Sequence, residues 1–542
     1  MDIQEEFSND EIKLLEKYVT NINKNIFVLK NLPEVIKGAL FSRYSRSSLG
    51  LRALLLKEFI LNQDTSFSDI TKNENDSSEQ QMRAIQKAQS FYDRILDGFG
   101  DDSIGELGGA HLAIENVSMI AAKAIEDFRI GGSPLEKSTR YIYFDQKVNG
   151  EYKFYKEPIL MTSAYRELYL NTCNMLFDTY NKLIPILTEK IAATFPQKND
   201  ISKVAYNAAL RAKVLDCLRG LLPSSALTNL GLFGNGRFFE TMIKKLHCHN
   251  LSELQDIASK SYVELSKIIP SFVRRSEITS KYQVAFCDFF EKMKEDIQNA
   301  SDNHTKDLLK KENQKVRLIN FDKEAVNKVT SALLFENSLG PLEDIQKLTK
   351  NLSKEDIDKI LDTAAIHRTN RREKSPRALE NAYFTFEIVA DFGIYRDLQR
   401  HRMLTQERQQ LNCNLGYYIP KEILNTEMEK DYRKAMDVGK NVFDQISKEL
   451  PEEAQYIVPM AYNLRWYFTI NLRALQWLCE LRSQAQGHPN YRFVAQEMAN
   501  LVIKEFPEFE RFFKFVDFEG HDLGRINQEV KRVEKEKSRV GV

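Results

Sequence analysis

The alternation of hydrophobic and polar positions predicts the first elements of the chain. Ser8 and Glu11 form a capping-box pattern ahead of apolar residues at helical spacing, which indicates an opening amphipathic helix. The polar segment at residues 71–79 favours a surface loop. A further helix is predicted from Gln81 to the turn at residues 98–102. The chain should therefore begin with helices joined by polar loops.

The hydrophobic period then changes from two to about 3.6 residues, and the same change occurs in both halves of the chain. Residues 111–115 alternate like a short strand, and a helical pattern follows at residues 119–128. Residues 383–388 alternate in the same way, and a second helical pattern follows at residues 392–398 behind Asp391, which is placed to cap it. A strand followed directly by a helix is therefore predicted twice.

The two halves also match at fixed sequence offsets. Three pairs share one offset, 236: Pro223 with Pro459, Asn235 with Asn471, and Arg237 with Arg473. Two pairs share another offset, 272: Phe128 with Arg400, and Glu136 with Arg408. The difference between the offsets, 36, falls between Arg140 and Arg219, where the first half carries an extra segment at residues 145–158. Ungapped matches on both sides of an insertion are typical of a duplicated domain.

This repeat predicts an α+β protein of two tandem domains, each with a mixed or antiparallel sheet packed with long helices. A chain of 542 residues is too long for one ordinary core, which agrees with more than one domain. The first domain is expected at residues 1–280 and the second at residues 316–542. Residues 281–315 are charged and poor in apolar side chains, which favours a charged helical linker.

Composition and charge narrow the function classes. The chain carries 77 Lys and Arg against 77 Asp and Glu, so no overall field attracts nucleic acid or a membrane surface. No apolar run approaches the length of a membrane span, and residues 1–6 lack the pattern of a signal peptide, which favours a cytoplasmic location. The six cysteines show no Cys-x-x-Cys spacing, so neither a disulfide framework nor a metal site is predicted.

Arg400, His401 and Arg402 give the strongest chemical signal in the sequence. They directly follow the second apolar helical pattern, and three such donors in a row are costly to bury unless an anion meets them. A phosphate-bearing ligand would meet this requirement. The alternative is a solvated helix end, where basic residues complement the helix dipole. Other polar residues before and after the tripeptide favour the ligand: Glu380, Asn471, Arg473 and Arg482.

This pattern resembles the flavin-dependent thymidylate synthases (ThyX). Their signature is Arg-His-Arg, then a serine loop of the type Glu-x-Ser-x-Arg-Tyr, and much later Asn-x-Arg with a further Arg nine residues on. The second half of the chain matches the first and last parts of this signature: Arg400-His401-Arg402, Asn471-Leu472-Arg473 and Arg482. In place of the serine-loop residues, the second half has Arg408, Gln410 and Asn412.

The first half of the chain has the missing loop and lacks the rest of the signature. Its residues 136–141 fit the serine loop with Glu136, Ser138, Arg140 and Tyr141. At the Arg-His-Arg positions stand Phe128, Arg129 and Ile130, and Leu246 stands where Arg482 aligns. Arg219, which precedes a Leu-Pro turn, is kept in the first half and is Gln455 in the second. Each half therefore retains what the other half has lost.

The resemblance implies a composite site, since the family enzymes are homotetramers whose nucleotide sites are shared between subunits. A tandem chain would divide these roles between its two copies, and a homodimer of tandem chains would form a pseudo-tetramer. The implied reaction is the reductive methylation of deoxyuridine monophosphate (dUMP) with FAD as cofactor. Methylenetetrahydrofolate would supply the carbon, and NADPH would supply the reducing equivalents.

The resemblance also assigns roles to individual residues. Arg482 would be catalytic, since a guanidinium facing the pyrimidine favours the N3-deprotonated ring. The implied dUMP-binding residues are Glu136, Ser138, Thr139, Arg140, Arg219, Gln399 and Arg400. The implied FAD-binding residues are Glu136, Asn235, Arg237, Glu380, Arg400, His401, Arg402, Asn471 and Arg473.

Two departures from the family pattern leave other functions open. Asp397 stands where the family has Gln, and a carboxylate there would repel a phosphate or a uracil carbonyl unless it were protonated. Arg377 aligns with a flavin-contacting Thr of the family. One alternative is a non-catalytic or repurposed protein that binds a flavin and a nucleotide. Another is a helical protein that binds nucleic acid through Arg400–Arg402 and the basic residues 368–372.

Overall fold

The computed structural model describes residues 7–45, 47–61, 105–306, 308 and 315–540. The loop predicted at residues 71–79 and the helix predicted from Gln81 lie outside these described residues. The chain divides into two compact units. Unit 1 consists of the described residues within Met1–Val117, Ala124–Glu136 and Thr228–Leu308, and unit 2 of those within Ser118–Lys123, Lys137–Leu227 and Leu309–Val542. The predicted domain boundaries at residues 280 and 316 follow the repeat and stay a prediction.

The first half of the chain contains eleven described α-helices and five described strands. The helices are α1 (Asn9–Leu15), α2 (Glu34–Tyr44), α3 (Leu51–Leu54), α4 (Met119–Glu126), α5 (Pro158–Thr162), α6 (Arg166–Thr194), α7 (Lys203–Leu218), α8 (Gly236–His247), α9 (Ser252–Leu265), α10 (Pro270–Val273) and α11 (Lys281–Thr305). The strands are β1 (Gly109–Ser118), β2 (Gly132–Glu136), β3 (Lys147–Val148), β4 (Glu151–Tyr152) and β5 (Leu227–Asn235).

The described second half follows the same alternation of helices and strands. Its helices are α12 (Ala325–Phe335), α13 (Leu342–Lys350), α14 (Lys354–Thr363), α15 (Phe392–Leu398), α16 (Met428–Ile446), α17 (Leu472–Arg482), α18 (Pro489–Glu505) and α19 (Ile526–Val540). Its strands are β6 (Val316–Phe321), β7 (Tyr383–Asp391), β8 (Leu404–Arg408) and β9 (Asn463–Asn471). The mixed helix and strand content agrees with the predicted α+β class. The opening capping box is also confirmed, because Ser8 and Glu11 make both of its hydrogen bonds at the start of α1.

The two sheets repeat one another at the predicted offsets. Strands β5 and β9 are related by the offset 236 at both ends, and strands β2 and β8 by the offset 272 at both ends. The strand order is β1-β5-β2 in unit 1 and β6-β7-β9-β8 in unit 2, so the last three strands of the second sheet follow the order of the first sheet. The described pairings within both sheets are antiparallel. The structure therefore supports a tandem repeat of one strand-and-helix pattern.

The alternation along β7 and β9 positions the core of unit 2. Phe384, Phe386 and Ile388 are buried on one face of β7, while Tyr383 on the other face is half exposed. Strand β9 buries its own alternate residues in the same way, including Trp466 and Phe468. This period of two is what the sequence predicted for residues 383–388.

Equivalent turns of the two halves pair directly inside unit 2. Pro223 and Pro459 form an antiparallel bridge. The amide of Met460 donates to the carbonyl of Leu222, and the amide of Ser224 donates to the carbonyl of Val458, both at 2.9 Å. Adding 236 to the residue numbers of the first half and subtracting 236 from those of the second half converts each of these two bonds into the other. The halves of the repeat therefore meet through a local pseudo-twofold arrangement.

The extra residues of the first half are not one segment, which corrects the sequence interpretation. The Tyr169 hydroxyl donates to the carbonyl of Tyr155, and the Tyr432 hydroxyl donates to that of Tyr418, so an offset of 263 relates both pairs. The offset falls from 272 to 263 ahead of Tyr155, so nine of the extra residues lie before Tyr155, where the β3–β4 hairpin is found. The other extra residues form a longer insertion before Arg219. Helix α7 lies in this second insertion, and α6 corresponds to α16.

The structure also contains a disulfide between Cys248 and Cys287, which the sequence interpretation did not expect. Cys248 follows α8 and Cys287 lies on α11, and these two helices pack together within unit 1. A pair 39 residues apart is joined by helix packing, which a search for local Cys-x-x-Cys spacing does not detect. Among the described helices, none is long and apolar enough to cross a membrane.

The paired turns give a first prediction, the substitution Gly220→Ala. A methyl group at position 220 would lie 2.5 Å from the Tyr432 hydroxyl and 2.9 Å from Ala461 Cβ. We expect the variant to lose about 1–3 kcal/mol of unfolding free energy, measured by urea denaturation. Gly340→Ala is the control, because its nearest atoms would lie at 3.5 and 3.8 Å. An equal effect of both substitutions would contradict close packing at the paired turns.

Candidate active site

The largest group of predicted site residues lines one cavity in unit 2, which we call the basic pocket. The cavity has a volume of about 550 Å³. Seven Lys and Arg side chains and three Glu side chains line it, so its lining carries an excess of positive charge. The predicted residues in the lining are Glu380, Arg400, His401, Arg402, Asn471, Arg473 and Arg482. This volume and charge suit an anionic ligand of cofactor size.

Helix α17 positions the residues from Asn471 to Arg482. The Asn471 side chain caps the helix by accepting a hydrogen bond from the amide of Ala474 at 2.9 Å. Arg473 donates to the carbonyl of Ser375 and to the Glu380 carboxylate, both at 2.7 Å. Burial opposes ionisation of Glu380, but hydrogen bonds from Arg473 and Arg377 hold the pKa of Glu380 below its ordinary value. This wall of the pocket is therefore held in place by its own polar contacts.

Arg482 is oriented by the predicted basic tripeptide. Its Nε donates to Nε2 of His401 at 3.0 Å. Burial and the Arg482 guanidinium hold the pKa of His401 well below its ordinary value, so the imidazole is neutral and its Nε2 can accept this bond. Burial also lowers the pKa of Arg482, and the carboxylate of Asp397 partly offsets this effect. Arg482 remains a cation, because an arginine pKa stays far above neutral pH.

Asp397 interacts electrostatically with guanidinium groups from both halves of the repeat. Arg219 pairs with it at 3.2 Å. Burial opposes ionisation of Asp397, but the charges of Arg219, Arg140, Arg482 and Arg400 outweigh burial and hold the pKa of Asp397 well below its ordinary value. The carboxylate is therefore ionised, which is the state in which the sequence analysis expects it to repel a phosphate or a uracil carbonyl. We call these four arginines the arginine cluster.

Arg140 is almost fully occupied by contacts within unit 2. It forms a bidentate ion pair with Asp216 on helix α7, at 2.6 and 2.7 Å. Its other hydrogen bonds go to the Tyr491 hydroxyl and the Gln486 carbonyl, both at 3.1 Å. Burial opposes ionisation of Asp216, but the adjacent Arg140 outweighs it and holds the pKa of Asp216 below its ordinary value. Four donor contacts leave Arg140 little capacity for a phosphate.

Arg219 has a different environment, although it is equally buried. Only 4% of the side chain is exposed. Its Nη1 donates to Asp397, while its Nη2 is buried without a hydrogen-bond partner. A buried donor of this kind normally finds an acceptor in a folded protein, because an unmet donor is costly. The unmet Nη2 therefore marks Arg219 as the arginine of the first half that can still bind an anion.

Other predicted residues do not line the basic pocket. The Ser138 hydroxyl accepts a hydrogen bond from the Arg140 amide, Thr139 is buried, and the buried Gln399 amide donates to the Lys123 carbonyl. Glu136 ends strand β2 and is buried. Asn235 and Arg237 belong to unit 1, where Asn235 caps α8. Arg237 there pairs with Glu106 at 2.8 Å.

The sequence interpretation did not assign Trp477 and Arg371 to the candidate site. Both line the basic pocket, and the Arg371 guanidinium lies 5.6 Å from the centre of the Trp477 ring. The basic residues 368–372 were considered only as a nucleic-acid surface. Arg368 is instead buried in a bidentate pair with Glu480, at 3.0 and 2.8 Å. The position of Trp477 on the predicted helix between Asn471 and Arg482 is the sequence signal that could have assigned it to the site.

Comparison with known proteins identifies the family. A family model described as thymidylate synthase complementing protein matches the chain twice, over residues 59–271 and 317–508. The chain belongs to the thymidylate synthase complementing protein family. The resemblance inferred from the motifs is thus confirmed. The two matches separate the halves of the repeat, so this member of the family carries the family pattern twice.

Several relatives resemble this member of the family. A UPF0159 protein of Chlamydia pneumoniae is 52% identical over 529 residues, which cover 98% of each chain. A UPF0159 protein of Thermoplasma acidophilum is 31% identical over 525 residues, covering 92% of this chain and 98% of its own. A flavin-dependent thymidylate synthase of Thermosipho africanus is 25% identical over 160 residues, covering 25% of this chain and 70% of that enzyme.

The buried Arg140–Asp216 pair gives a second prediction. Asp216→Asn should lower the unfolding free energy at pH 7 by about 3 kcal/mol, because the variant leaves the Arg140 charge buried without its partner. The folded-state pKa of Asp216 lies below the ordinary value of 3.8. The stabilisation is therefore complete above the ordinary pKa and is lost as the pH falls through the folded-state pKa. Urea denaturation at a series of pH values measures both effects.

Asp431→Asn is the matched control for this experiment. Asp431 pairs with Lys182 at 2.6 Å, but the Lys182 side chain is 61% exposed and that of Asp431 34%. Its loss should cost less than about 1 kcal/mol. A similar loss in both variants, or a difference for Asp216→Asn that grows as the medium becomes acidic, would contradict the assigned ion pair.

Proposed function

We propose that the protein is a flavin-dependent thymidylate synthase that converts dUMP to dTMP with methylenetetrahydrofolate and NADPH. One observation carries this proposal. The charges of Arg140 and Arg219 from the first half and of Arg400 and Arg482 from the second half act on one carboxylate in unit 2, that of Asp397. Arginines that the two halves retain separately in sequence thus act on the same carboxylate, which supports the proposal. Membership of the thymidylate synthase complementing protein family supports the same reaction.

The donor set of the basic pocket fits FAD. Arg400 and Arg402 line the cavity, and Arg473 at the start of α17 supplies a third guanidinium. Guanidinium groups bind the oxygens of a pyrophosphate with charge-assisted hydrogen bonds. Trp477 and Arg371 add a flat surface against which an aromatic ring can stack. When bound, FAD would supply the hydride that reduces the transferred one-carbon unit.

Arg482 would act on the uracil ring. Its contact with His401 fixes the direction of the guanidinium, and the partial burial of Arg482 strengthens its electrostatic effect. A fixed cation beside the ring favours loss of the N3 proton and places more electron density on C5, the carbon that receives the methyl group. Arg219 Nη2 is the donor available for the nucleotide phosphate.

The cysteines of the described chain do not favour a thiolate nucleophile. The free cysteines Cys173, Cys217, Cys413 and Cys479 are all buried, and none of them lines the basic pocket. Burial raises the pKa of each thiol, in the case of Cys173 to about 12. A protonated thiol is a poor nucleophile. Activation of C5 by Arg482 therefore accounts better for methyl transfer than attack by an enzyme cysteine.

The homodimer that would complete a pseudo-tetramer remains part of this proposal. The arginine cluster nevertheless draws on both halves of a single chain, so the proposal needs no residue from a second chain at that point. A repurposed protein that binds flavin and nucleotide without methyl transfer is the second candidate. The observation that favours this candidate is that Asp216, Tyr491 and Gln486 together occupy most donors of Arg140.

A third prediction tests cofactor binding in the basic pocket. The chain has two tryptophans, of which Trp466 is buried in the core and Trp477 lines the pocket. FAD added to flavin-free protein should quench the Trp477 emission, because a stacked isoalloxazine or adenine ring lies close to the indole. Trp477→Phe should retain FAD in an ultrafiltration assay but lose most of the quenching. Absence of FAD binding would contradict the proposed function, and full quenching in Trp477→Phe would contradict the proposed position.

A fourth prediction concerns catalysis. Arg482→Ala should retain FAD but lose at least about a hundredfold in the rate of methyl transfer to dUMP, because a fixed cation at the reacting ring is removed. Transfer of a labelled one-carbon unit to dUMP measures this rate. Arg433→Ala is the control, since Arg433 is half exposed and pairs with Glu429 at 2.7 Å, one turn away on the same helix. Normal methyl transfer by Arg482→Ala would contradict the assigned role.

Co-expression of two inactive variants tests whether the site lies within one chain. Arg219→Gln and Arg482→Ala change opposite halves of the arginine cluster. Because both residues belong to the cluster of the same chain, mixed dimers of the two variants should stay inactive. Recovery of about a quarter to a half of the activity would instead show that each site takes these residues from different chains.

A further inference from the structure

The proposed nucleotide site contains an unusual charge arrangement. The two arginines of the first half that could hold a phosphate each face a carboxylate of the same chain. Asp216 accepts two hydrogen bonds from Arg140, and Asp397 pairs with Arg219. Asp216 comes from helix α7, which the second half of the repeat lacks, and Asp397 comes from the end of α15. The phosphate-binding capacity of the site is therefore partly neutralised before a ligand arrives.

Asp397 is the more exposed of these two carboxylates. Its side chain is 17% exposed, whereas that of Asp216 is 7% exposed and held by two bonds to Arg140. Arg219 offers its unmet Nη2 beside the Nη1 that already binds Asp397. An anion bound to Nη2 would lie next to the Asp397 carboxylate on Nη1, so two negative charges would share one guanidinium. Like charges that share one site disfavour each other's binding.

We propose that Asp397 determines the ligand charge that this site accepts, so that a uracil nucleoside binds nearly as well as its 5′-monophosphate. This inference rests on the proposed function, since it concerns the nucleotide of that same site. The carboxylate competes with the phosphate for Arg219 and removes most of the affinity that a dianion would otherwise gain. The uracil ring, which carries no charge, does not take part in this competition. The substrate class is therefore uracil nucleosides with or without a 5′-phosphate.

The experiment compares dUMP and deoxyuridine on the FAD-loaded protein by calorimetric titration. Its readout is the ratio of the deoxyuridine Kd to the dUMP Kd. Asp397→Asn keeps the size of the side chain and an oxygen that can accept from Arg219, but it removes the charge. We expect this variant to raise the ratio by about tenfold or more, through tighter dUMP binding and with little change for deoxyuridine. A smaller increase overturns the proposal.

Two further variants keep the result interpretable. Asp397→Glu retains the charge and should leave the ratio within about threefold of the unaltered protein. A ratio that rises as much in Asp397→Glu as in Asp397→Asn overturns the proposal, because charge would not be the cause. If Asp397→Asn fails to retain FAD, Asp397→Gln makes the same neutral comparison. Unaltered FAD-loaded protein that binds neither dUMP nor deoxyuridine contradicts the proposed function, whereas FAD-loaded protein with an unchanged ratio contradicts only the role of Asp397.

Discussion

The antiparallel pairing of the turns at Pro223 and Pro459 is the constraint on which the site depends. The amides of Ser224 and Met460 donate across the pair, and two further bonds join Ser225 to Tyr456 and Ala461 to Gly220. These four backbone bonds are fixed by geometry, so they set the relative position of the chain segments on both sides. Arg219 directly precedes one turn, and the other turn leads through β9 to α17, which ends at Arg482. The pairing therefore brings together side chains that lie far apart in sequence.

The positive charges of the four arginines repel one another, and nearby carboxylates offset this repulsion. Asp216 and Asp397 both have pKa values below the ordinary value, since nearby arginines stabilise their ionised forms. The neutral His401 accepts from Arg482 and adds no further positive charge. The same carboxylates limit the attraction of the site for anions. Stability of the folded protein and affinity for a phosphate are thus opposed at Asp397, and this opposition is the physical basis for its proposed effect on ligand choice.

The sequence predicted the repeat well because its signals are local. Strand alternation at residues 383–388 and the helix caps at Ser8 and Asp391 each depend on nearby residues, and the structure contains them. The basic tripeptide and Arg482 were likewise found from spacing. Asp216 could not be assigned to Arg140, because 76 residues separate them and an inserted helix supplies the carboxylate. The Cys248–Cys287 disulfide and the place of Trp477 were missed for the same reason, since both depend on how helices pack and not on a local pattern.

The central claim is that each chain builds one nucleotide site from both halves of its repeat. A crystal structure of the protein with FAD and dUMP tests this claim most directly. The account predicts that the uracil ring contacts Arg482 and that the 5′-phosphate contacts Arg219 of the same chain. It would be contradicted by a nucleotide that takes Arg219 from a second chain, or by one that contacts residues of a single half only.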